Sequence, residues 1–204
     1  GWLVPVEQCM VAVDDLDYSH IRTTAGDLNG ADLAAVMEAE RTMQEIVGAT
    51  IDIIGNRRTL VFTVSVRQAE VVAEIMNRHR PEMAAWICGA TPKHLRHDRL
   101  QRFSDGTTQV MVNCSVLNEG YDEVAIEVIV QGRPTKSRCL YAQQIGRAMR
   151  PLAGVVDGIE SAAERRAAIA ASRKPAMCVL DFVGNSGRHK LINTADILGG
   201  KLSD

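Results

Sequence analysis

The sequence lacks most of the features that would assign it at once to a class of protein. Its five cysteines are widely spaced and form no CxxC pair, so neither a disulfide framework nor a zinc site is indicated. The five histidines form no HExxH pattern. There is no apolar run near 18 residues and no signal peptide, which predicts a soluble, cytoplasmic chain that has no membrane partner.

The sequence also lacks a strong charge of either sign. It has 23 basic and 25 acidic side chains, a net charge of -2, and only 4% aromatic residues. No global basic field attracts the chain to nucleic acid, so any such binding must use local patches or backbone amides. With 204 residues, 46% hydrophobic and 24% charged, the chain is long enough for one globular domain with flanking pieces, or for two small domains.

What the sequence does contain is a repeated alternation of strand and helix patterns. A helix predicted from about Arg67 ends at Pro81, and a second is indicated by Thr91 as N-cap and Pro92 as first helical residue. This alternation predicts an α/β fold with a parallel sheet and helices on both faces, in which ligands meet the carboxyl ends of the strands. The predicted strands are 59–64, 84–88, 109–114, 125–130 and 176–183.

Residues 1–48 do not share this alternation. The run CMVAV (9–13) predicts one strand, and residues 31–47 predict a helix. We therefore predict that 1–48 is a lead-in segment packed on an α/β domain formed by 49–204. The Ala- and Arg-rich stretch 152–174 predicts a surface helix.

The run YAQQIGRAMRP (141–151) carries the most specific pattern. If it is helical, Gln143, Arg147 and Arg150 share an arc of roughly 60°. Gly146 weakens a helix, which indicates that something approaches the backbone there. The pattern thus predicts a guanidinium-bearing front and a buried back. The apolar residues expected on the back are Ala142, Ile145 and Met149.

Two other runs look like phosphate or magnesium sites but are incomplete. GRPTKS (132–137) ends in Lys-Ser like a P-loop, yet it lacks the second glycine, and Pro134 removes an amide donor. MVAVDD (10–15) ends in two carboxylates, but only nine residues precede it, too few for the strand and helix of a P-loop. The chain therefore has arginines suited to phosphate but no phosphate cradle and no metal site of its own.

QQIGRAMR matches the pattern Q-x-x-G-R-x-x-R, and here the sequence resembles the superfamily II helicases. It resembles most their second RecA-like domain, in the branch with excision-repair helicases and type III restriction subunits. The resemblance extends upstream in order: 59–66 resembles motif IV, 89–113 the segment after it, and 114–124 motif V. Even GWLVP (1–5) resembles the end of the first motor domain. The resemblance implies a RecA-like fold.

The resemblance also implies roles for individual residues. Arg147 and Arg150 would be arginine fingers, and Gln143 would help to position the γ-phosphate or its water. Gly120, Asp122 and Gly146 would lie near the nucleotide. ATP and Mg²⁺ would be held mainly by a first RecA-like domain, in cis or in trans. The alternatives are a solvated polar face for the arginines and a structural turn for Asp122.

Nucleic-acid contacts are predicted at turns that follow strands. Ser65 and Thr91 are candidates there, although each is equally an ordinary N-cap. In motif V, Cys114 replaces a Thr common in DEAD-box relatives, so Ser115 is the candidate hydroxyl. The partner implied is single-stranded or duplex nucleic acid; DNA is favoured over RNA, although the sequence does not decide between them.

Together these observations predict the C-terminal motor domain of an ATP-dependent helicase or translocase. Such a domain supplies arginine fingers and part of the nucleic-acid track, and by itself it is not an ATPase. The alternative is a non-catalytic module that binds nucleic acid or activates a separately encoded first domain in trans. A free-standing small-molecule enzyme is disfavoured, because no nucleophile, metal cluster or dinucleotide loop is present.

Overall fold

Six parallel strands form one sheet at the centre of the fold. The structure, a computed structural model, describes residues 1–117, 121–185 and 190–199. The strands lie in the order β1-β8-β7-β4-β6-β5, and a separate two-stranded hairpin contains β2 and β3. The elements are β1 Val6–Asp17, β2 Thr23–Thr24, β3 Asp27–Leu28, α1 Gly30–Met37, α2 Glu40–Ile54, β4 Thr59–Thr63, α3 Val66–His79, β5 Ala84–Ile87, α4 Lys93–Asp105, β6 Val110–Asn113, β7 Val128–Gly132, α5 Arg138–Gly146, α6 Ala162–Ala170, β8 Met177–Asn185 and α7 Thr194–Leu198.

The central strands β4, β6 and β7 are buried at every residue, which explains their nearly continuous apolar sequences. All five strands predicted from the apolar runs are present, although β7 begins three residues later than expected. The predicted parallel sheet is confirmed, and the fold is RecA-like. A side chain at Gly132 would lie 2.7 Å from the carbonyl oxygen of Phe62, so glycine is needed where β7 meets β4.

Helices cover both faces of the sheet, as predicted. On one face α1, α2 and α3 pack against residues such as Val61 and Val130. On the other face α4, α5 and α6 pack against Leu60, Phe62 and Ile129. Because alternate residues of one strand point to opposite faces, β4 contributes to both cores. The predicted surface helix in 152–174 is α6.

The lead-in segment is built into the fold more deeply than its sequence indicated. Its strand is longer than CMVAV and pairs in parallel with β8, at one end of the main sheet. The single helix expected over 31–47 is instead two helices, because the backbone leaves the helical conformation at Ala39 (ψ 130°). The second, α2, continues to Ile54, across the predicted boundary at 48/49. The division into two units stays a prediction.

The hairpin of the lead-in docks on the run that resembled a P-loop. The Asp27 carboxylate accepts hydrogen bonds from the backbone N–H of Lys136 (2.7 Å) and from the Thr135 hydroxyl (2.7 Å). The Lys136 ammonium reaches the Thr23 hydroxyl at 3.2 Å. Donors that a P-loop would offer to phosphate are thus bound here to a carboxylate and a hydroxyl of the same chain.

Candidate functional site

Helix α5 carries the first half of the YAQQIGRAMRP run but not the second. It ends at Gly146, so the helix predicted through Arg150 is wrong. A residue that precedes proline is disfavoured in the helical conformation, and Arg150 precedes Pro151. The carbonyl of Met149 accepts instead from the backbone N–H of Val4 (2.9 Å), which holds the chain outside the helix.

A tight turn keeps the predicted front of the helix together even so. The N–H of Arg147 donates to Gln144 (3.3 Å), and the N–H of Met149 donates to Gly146 (3.4 Å), each three residues back. Such a turn has about three residues per revolution, so Arg147 and Arg150 stay on one side. Gln143, Arg147 and Arg150 accordingly line one open cavity.

We call this space the arginine cavity. Its volume is about 460 Å³, which is large enough for a drug-sized ligand. The back of the run is as predicted for Ile145, which is buried, and for Met149, which packs against the core. The prediction is wrong for Ala142, which lies on the cavity side. The cavity is lined by Tyr121, Asp122, Ala142, Gln143, Gly146, Arg147 and Arg150.

Each arginine of the cavity is anchored to the last part of the segment that resembles motif V, which is 114–124. Arg147 Nη1 donates to the carbonyl oxygen of Tyr121 at 2.9 Å. Arg150 forms an ion pair with a carboxylate oxygen of Asp122, and both side chains are about half exposed. The Nε group of Arg147 is buried and has no hydrogen-bond partner within the described part of the chain. A guanidinium has five donors in a planar fork, so both arginines keep donors suited to phosphoryl oxygens.

Of the two glycines predicted at the site, Gly146 and Gly120, the structure describes the first. A side chain built at Gly146 would meet nothing within 4 Å, and this residue is exposed at the cavity. No described residue therefore requires glycine there, and the free space lies on the cavity side. Gly120 lies outside the described residues.

Sequence reasoning missed Lys174, which lies behind Arg150. This side chain is 1% exposed, and its ammonium donates to the carbonyl oxygens of Val124 (2.7 Å) and Arg150 (2.8 Å). Burial lowers its pKa to about 8, and Glu127 and Glu123 oppose that effect. Val4 and Lys174 precede β1 and β8, so this end of the cavity lies at the amino edge of the sheet. No sequence pattern distinguished this lysine from an exposed one, because its partners are backbone carbonyls of two other segments.

The nucleic-acid candidates lie at the other, carboxyl edge of the sheet, and we call Ser65, Thr91 and Ser115 the carboxyl-edge hydroxyls. Ser65 is the N-cap of α3, as its sequence allowed: its hydroxyl accepts from the N–H of Gln68 at 3.0 Å. The same hydroxyl donates to the Glu38 carboxylate from the lead-in segment. A serine has a single proton to donate, so here it is already committed.

Thr91 is not the N-cap of α4, and that prediction is wrong. Pro92 is the cap residue, without a side-chain cap bond. The Thr91 hydroxyl turns back to accept from the N–H of Cys88 at 2.9 Å, and the residue is 8% exposed. Its hydroxyl therefore closes the turn after β5 and does not face solvent.

Ser115 follows β6 and is exposed. Its φ of +58° is unusual for a residue with a side chain and belongs to a tight turn. The described residues between β6 and β7, which are 114–117 and 121–127, contain no helix. Of these three residues, Ser115 is exposed, Ser65 is partly exposed and Thr91 is buried.

Two further observations concern metals and membranes. Within the described ranges, no group of three or more His, Cys, Asp or Glu side chains could hold a metal ion. No helix in the same ranges is long and apolar enough to cross a membrane.

The sequence was compared with known families and proteins. Residues 40–151 match the family described as "Helicase conserved C-terminal domain". The Saccharomyces cerevisiae protein "Putative ATP-dependent helicase IRC3" is 28% identical over 152 residues, which are 73% of this chain and 22% of that protein. The chain thus spans about a fifth of the length of this relative.

Solved structures share the fold at low identity. The fragment of a "putative HsdR subunit of a type I restriction enzyme" from Vibrio vulnificus YJ016 has a TM-score of 0.62 at 16% identity, covering 89% of this chain and 32% of that one. Dbp5 of S. cerevisiae, bound to RNA and ADP BeF3, has a TM-score of 0.52 at 14% identity, covering 70% of this chain and 33% of that one. At such identities the likeness concerns the fold alone.

Proposed function

The chain belongs to the family of C-terminal domains of superfamily II helicases, and from this premise we propose that it is the second motor domain of an ATP-dependent helicase or translocase. The observation that supports the proposal best is the arginine cavity. Gln143, Arg147 and Arg150 converge there on one open space, although the helix that was expected to align them ends early.

The residues of the cavity fit the phosphate end of a nucleotide. When bound, ATP with Mg²⁺ supplies the transferable phosphoryl group. Arg147 and Arg150 offer planar forks that bind and orient phosphoryl oxygens and stabilise their charge. Gln143 orients the γ-phosphate or the attacking water, and Asp122 and Gly146 border the nucleotide. Arginine fingers of this kind increase turnover by about 10³–10⁵ where measured.

We further propose that the chain does not hydrolyse ATP alone. The P-loop-like run 132–137 lacks the second glycine, and its Thr135 hydroxyl and Lys136 backbone N–H are bound to Asp27. A first RecA-like domain, in cis or in trans, would hold ATP and Mg²⁺ and close on the arginine cavity.

The proposed track for nucleic acid is the carboxyl edge, with Ser115 and, after release from Glu38, Ser65. We keep DNA as the preferred partner, although the RNA-bound Dbp5 has the same fold. Because the net charge is -2, binding by this domain alone should be weak, independent of sequence and strongly reduced by salt. We also propose that the protein is located in the cytoplasm.

Reconstitution tests the proposal. The purified chain with Mg-ATP and single-stranded DNA should show no ATPase, and turnover near 1 s⁻¹ or more from the chain alone would refute the half-motor assignment. Addition of the first motor domain, fused or separate, should produce ATPase stimulated by nucleic acid. If it produces only nucleic-acid binding, the non-catalytic module is the better description. Labelled DNA and RNA strands, titrated at low and moderate salt, test the partner.

A further inference from the structure

A buried ammonium joins the two segments that form the wall of the arginine cavity. Lys174 Nζ donates at 2.7 Å to the carbonyl oxygen of Val124 and at 2.8 Å to that of Arg150. Lys174 lies in the connection between α6 and β8, outside the residues 40–151 that match the helicase family. Its own backbone N–H is fixed by the Ser172 hydroxyl at 3.1 Å.

These two segments also carry both halves of the cavity's ion pair. Asp122 lies two residues before Val124, and it pairs with Arg150, whose carbonyl takes the second bond from Lys174. The carbonyl of Tyr121, in the same segment, accepts from Arg147. One ammonium therefore fixes the backbone on both sides of the Arg150–Asp122 pair.

We propose that Lys174 is a positioning residue, which sets the distance between the 121–124 segment and Arg150 and thereby directs the Arg150 guanidinium into the cavity. The inference rests on the proposed function, in which Arg150 acts on phosphate. The carbonyls that end a helical turn have no intrahelical partner, and a cation near them is favourable. Met149 has Val4 as its partner, and Arg150 has Lys174.

A structural filler would not need a lysine at this position. A buried ammonium costs free energy, because it leaves water, and an apolar side chain of the same length would avoid that cost. Glu127 and Glu123 offset part of it, whereas Arg150 adds to it. The charged donor is thus explained by the two carbonyls that it holds.

Arginine side-chain NMR tests this inference independently of activity. In the ¹⁵N-labelled chain, the Arg150 Nε–H signal should show a restricted side chain. Lys174→Met keeps the length of the side chain but removes its donors, so the Arg150 signal should become that of a mobile arginine. Lys93→Met, at an exposed position, is the matched control and should leave the signal unchanged. A folded Lys174→Met variant with an unchanged Arg150 signal would overturn the inference.

A measurement on the unsubstituted chain covers the case in which the variant does not fold. As the pH rises through the titration of Lys174, the ammonium loses a proton and its bonds to the carbonyls weaken. The Arg150 signal should shift with the same midpoint as the Lys174 signal. The charged groups that act on Lys174 are Glu123, Glu127 and Arg150. If the Arg150 signal does not change at the midpoint of the Lys174 titration, the positioning role is refuted.

Kinetics of the reconstituted motor separate this inference from the proposed function. Lys174→Met should lower kcat for ATP by about tenfold or more, while KM changes less than about twofold, because the substitution misplaces a group needed in the transition state. If Arg150→Ala itself leaves turnover unchanged, the proposed function of the cavity fails. The NMR result still decides whether Lys174 positions Arg150.

Discussion

The arginine cavity and the carboxyl-edge hydroxyls lie at opposite edges of the same sheet, and they differ in how much of their hydrogen-bonding capacity the chain uses. In the cavity, Arg147 and Arg150 are each anchored through one guanidinium nitrogen, and a guanidinium has five donors. At the carboxyl edge, the hydroxyls of Ser65 and Thr91 are hydrogen-bonded to groups of the same chain. A polar residue in a family motif is therefore a stronger candidate for ligand binding where some of its hydrogen-bond donors have no partner inside the fold.

The largest expected effect tests the cavity. In the reconstituted motor, Arg147→Ala or Arg150→Ala should lower ATP turnover by about 10² or more, because each removes a planar fork from the phosphoryl group. Lysine should restore little, since it keeps the charge but loses the fork. Steady-state ATPase kinetics and a melting curve for each variant provide the measurement.

Arg166→Ala is the control for these variants, because Arg166 is an exposed arginine of α6 remote from the motif. It should keep both turnover and melting temperature. Near-normal turnover in a folded Arg150→Ala variant would show that this arginine is not a finger and would remove the contrast between the two regions.

The next effect concerns α5, which runs from the carboxyl edge to the cavity. Asp181 on β8 accepts from the Tyr141 hydroxyl of this helix at 2.7 Å, and burial raises the pKa of Asp181 to about 6. The folded state therefore holds the proton more tightly than the unfolded state, so this contribution to stability is complete below about pH 4. It is lost as the pH rises to about 6, by at most about 3 kcal/mol.

Urea denaturation between pH 4 and pH 7 measures this dependence. The difference in unfolding free energy between the unsubstituted chain and Asp181→Asn should change across that range, since asparagine does not titrate. A constant difference would show that Asp181 is ionised throughout, and then α5 would be held by an ordinary carboxylate.

A smaller effect tests the carboxyl edge. Glu38→Gln should increase affinity for single-stranded DNA about fivefold at low salt, because it removes one negative charge beside Ser65 and loosens the bond that occupies its hydroxyl. Fluorescence anisotropy with a labelled strand measures the change. Glu74→Gln serves as the control, because it removes a carboxylate of α3 that pairs with Arg78. Unchanged affinity in Glu38→Gln would exclude Ser65 from the track.

The smallest effect on binding is expected at Thr91. Thr91→Val should destabilise the fold by about 1 kcal/mol, because the Cys88 N–H loses its acceptor, and Thr91→Ser should not. Neither variant should change nucleic-acid affinity by more than about twofold. Thermal melting and the same anisotropy titration check both statements. A selective loss of affinity in a stable Thr91→Val variant would place its hydroxyl on the track after all.

Most of the fold could be predicted from the sequence. Buried parallel strands have continuous apolar runs, and helices have apolar residues that recur every three or four positions. The five predicted strands and the helices on both faces are examples. The place of β1 beside β8 could not be predicted, since partners far apart in sequence leave no local signal. The break between α1 and α2 was missed for a related reason. Glu38, which follows α1, contacts Ser65, a residue distant in the sequence.

The candidate site divides in the same way. The spacing of Gln143, Arg147 and Arg150 gave their common side, because both an α-helix and a tighter turn keep residues three or four apart together. Pro151 was a local signal against a helix at Arg150. The other contacts that hold this stretch are not local, because the carbonyls of Met149 and Arg150 accept from the Val4 N–H and the Lys174 ammonium. Contacts of this kind between a side chain and a distant carbonyl have no sequence pattern, so Lys174 was missed.

The pairing of β1 with β8 also has a mechanical meaning. The two strands are parallel and in register from Val6 opposite Met177 to Ala12 opposite Val183. Tension applied between the start of β1 and the end of β8 would pull these neighbours past one another along their length. The hydrogen bonds of the ladder lie across that direction, so they would resist together and would not open one after another. A domain that transmits force through its two ends would thus be loaded in shear, the direction in which a pair of strands yields last.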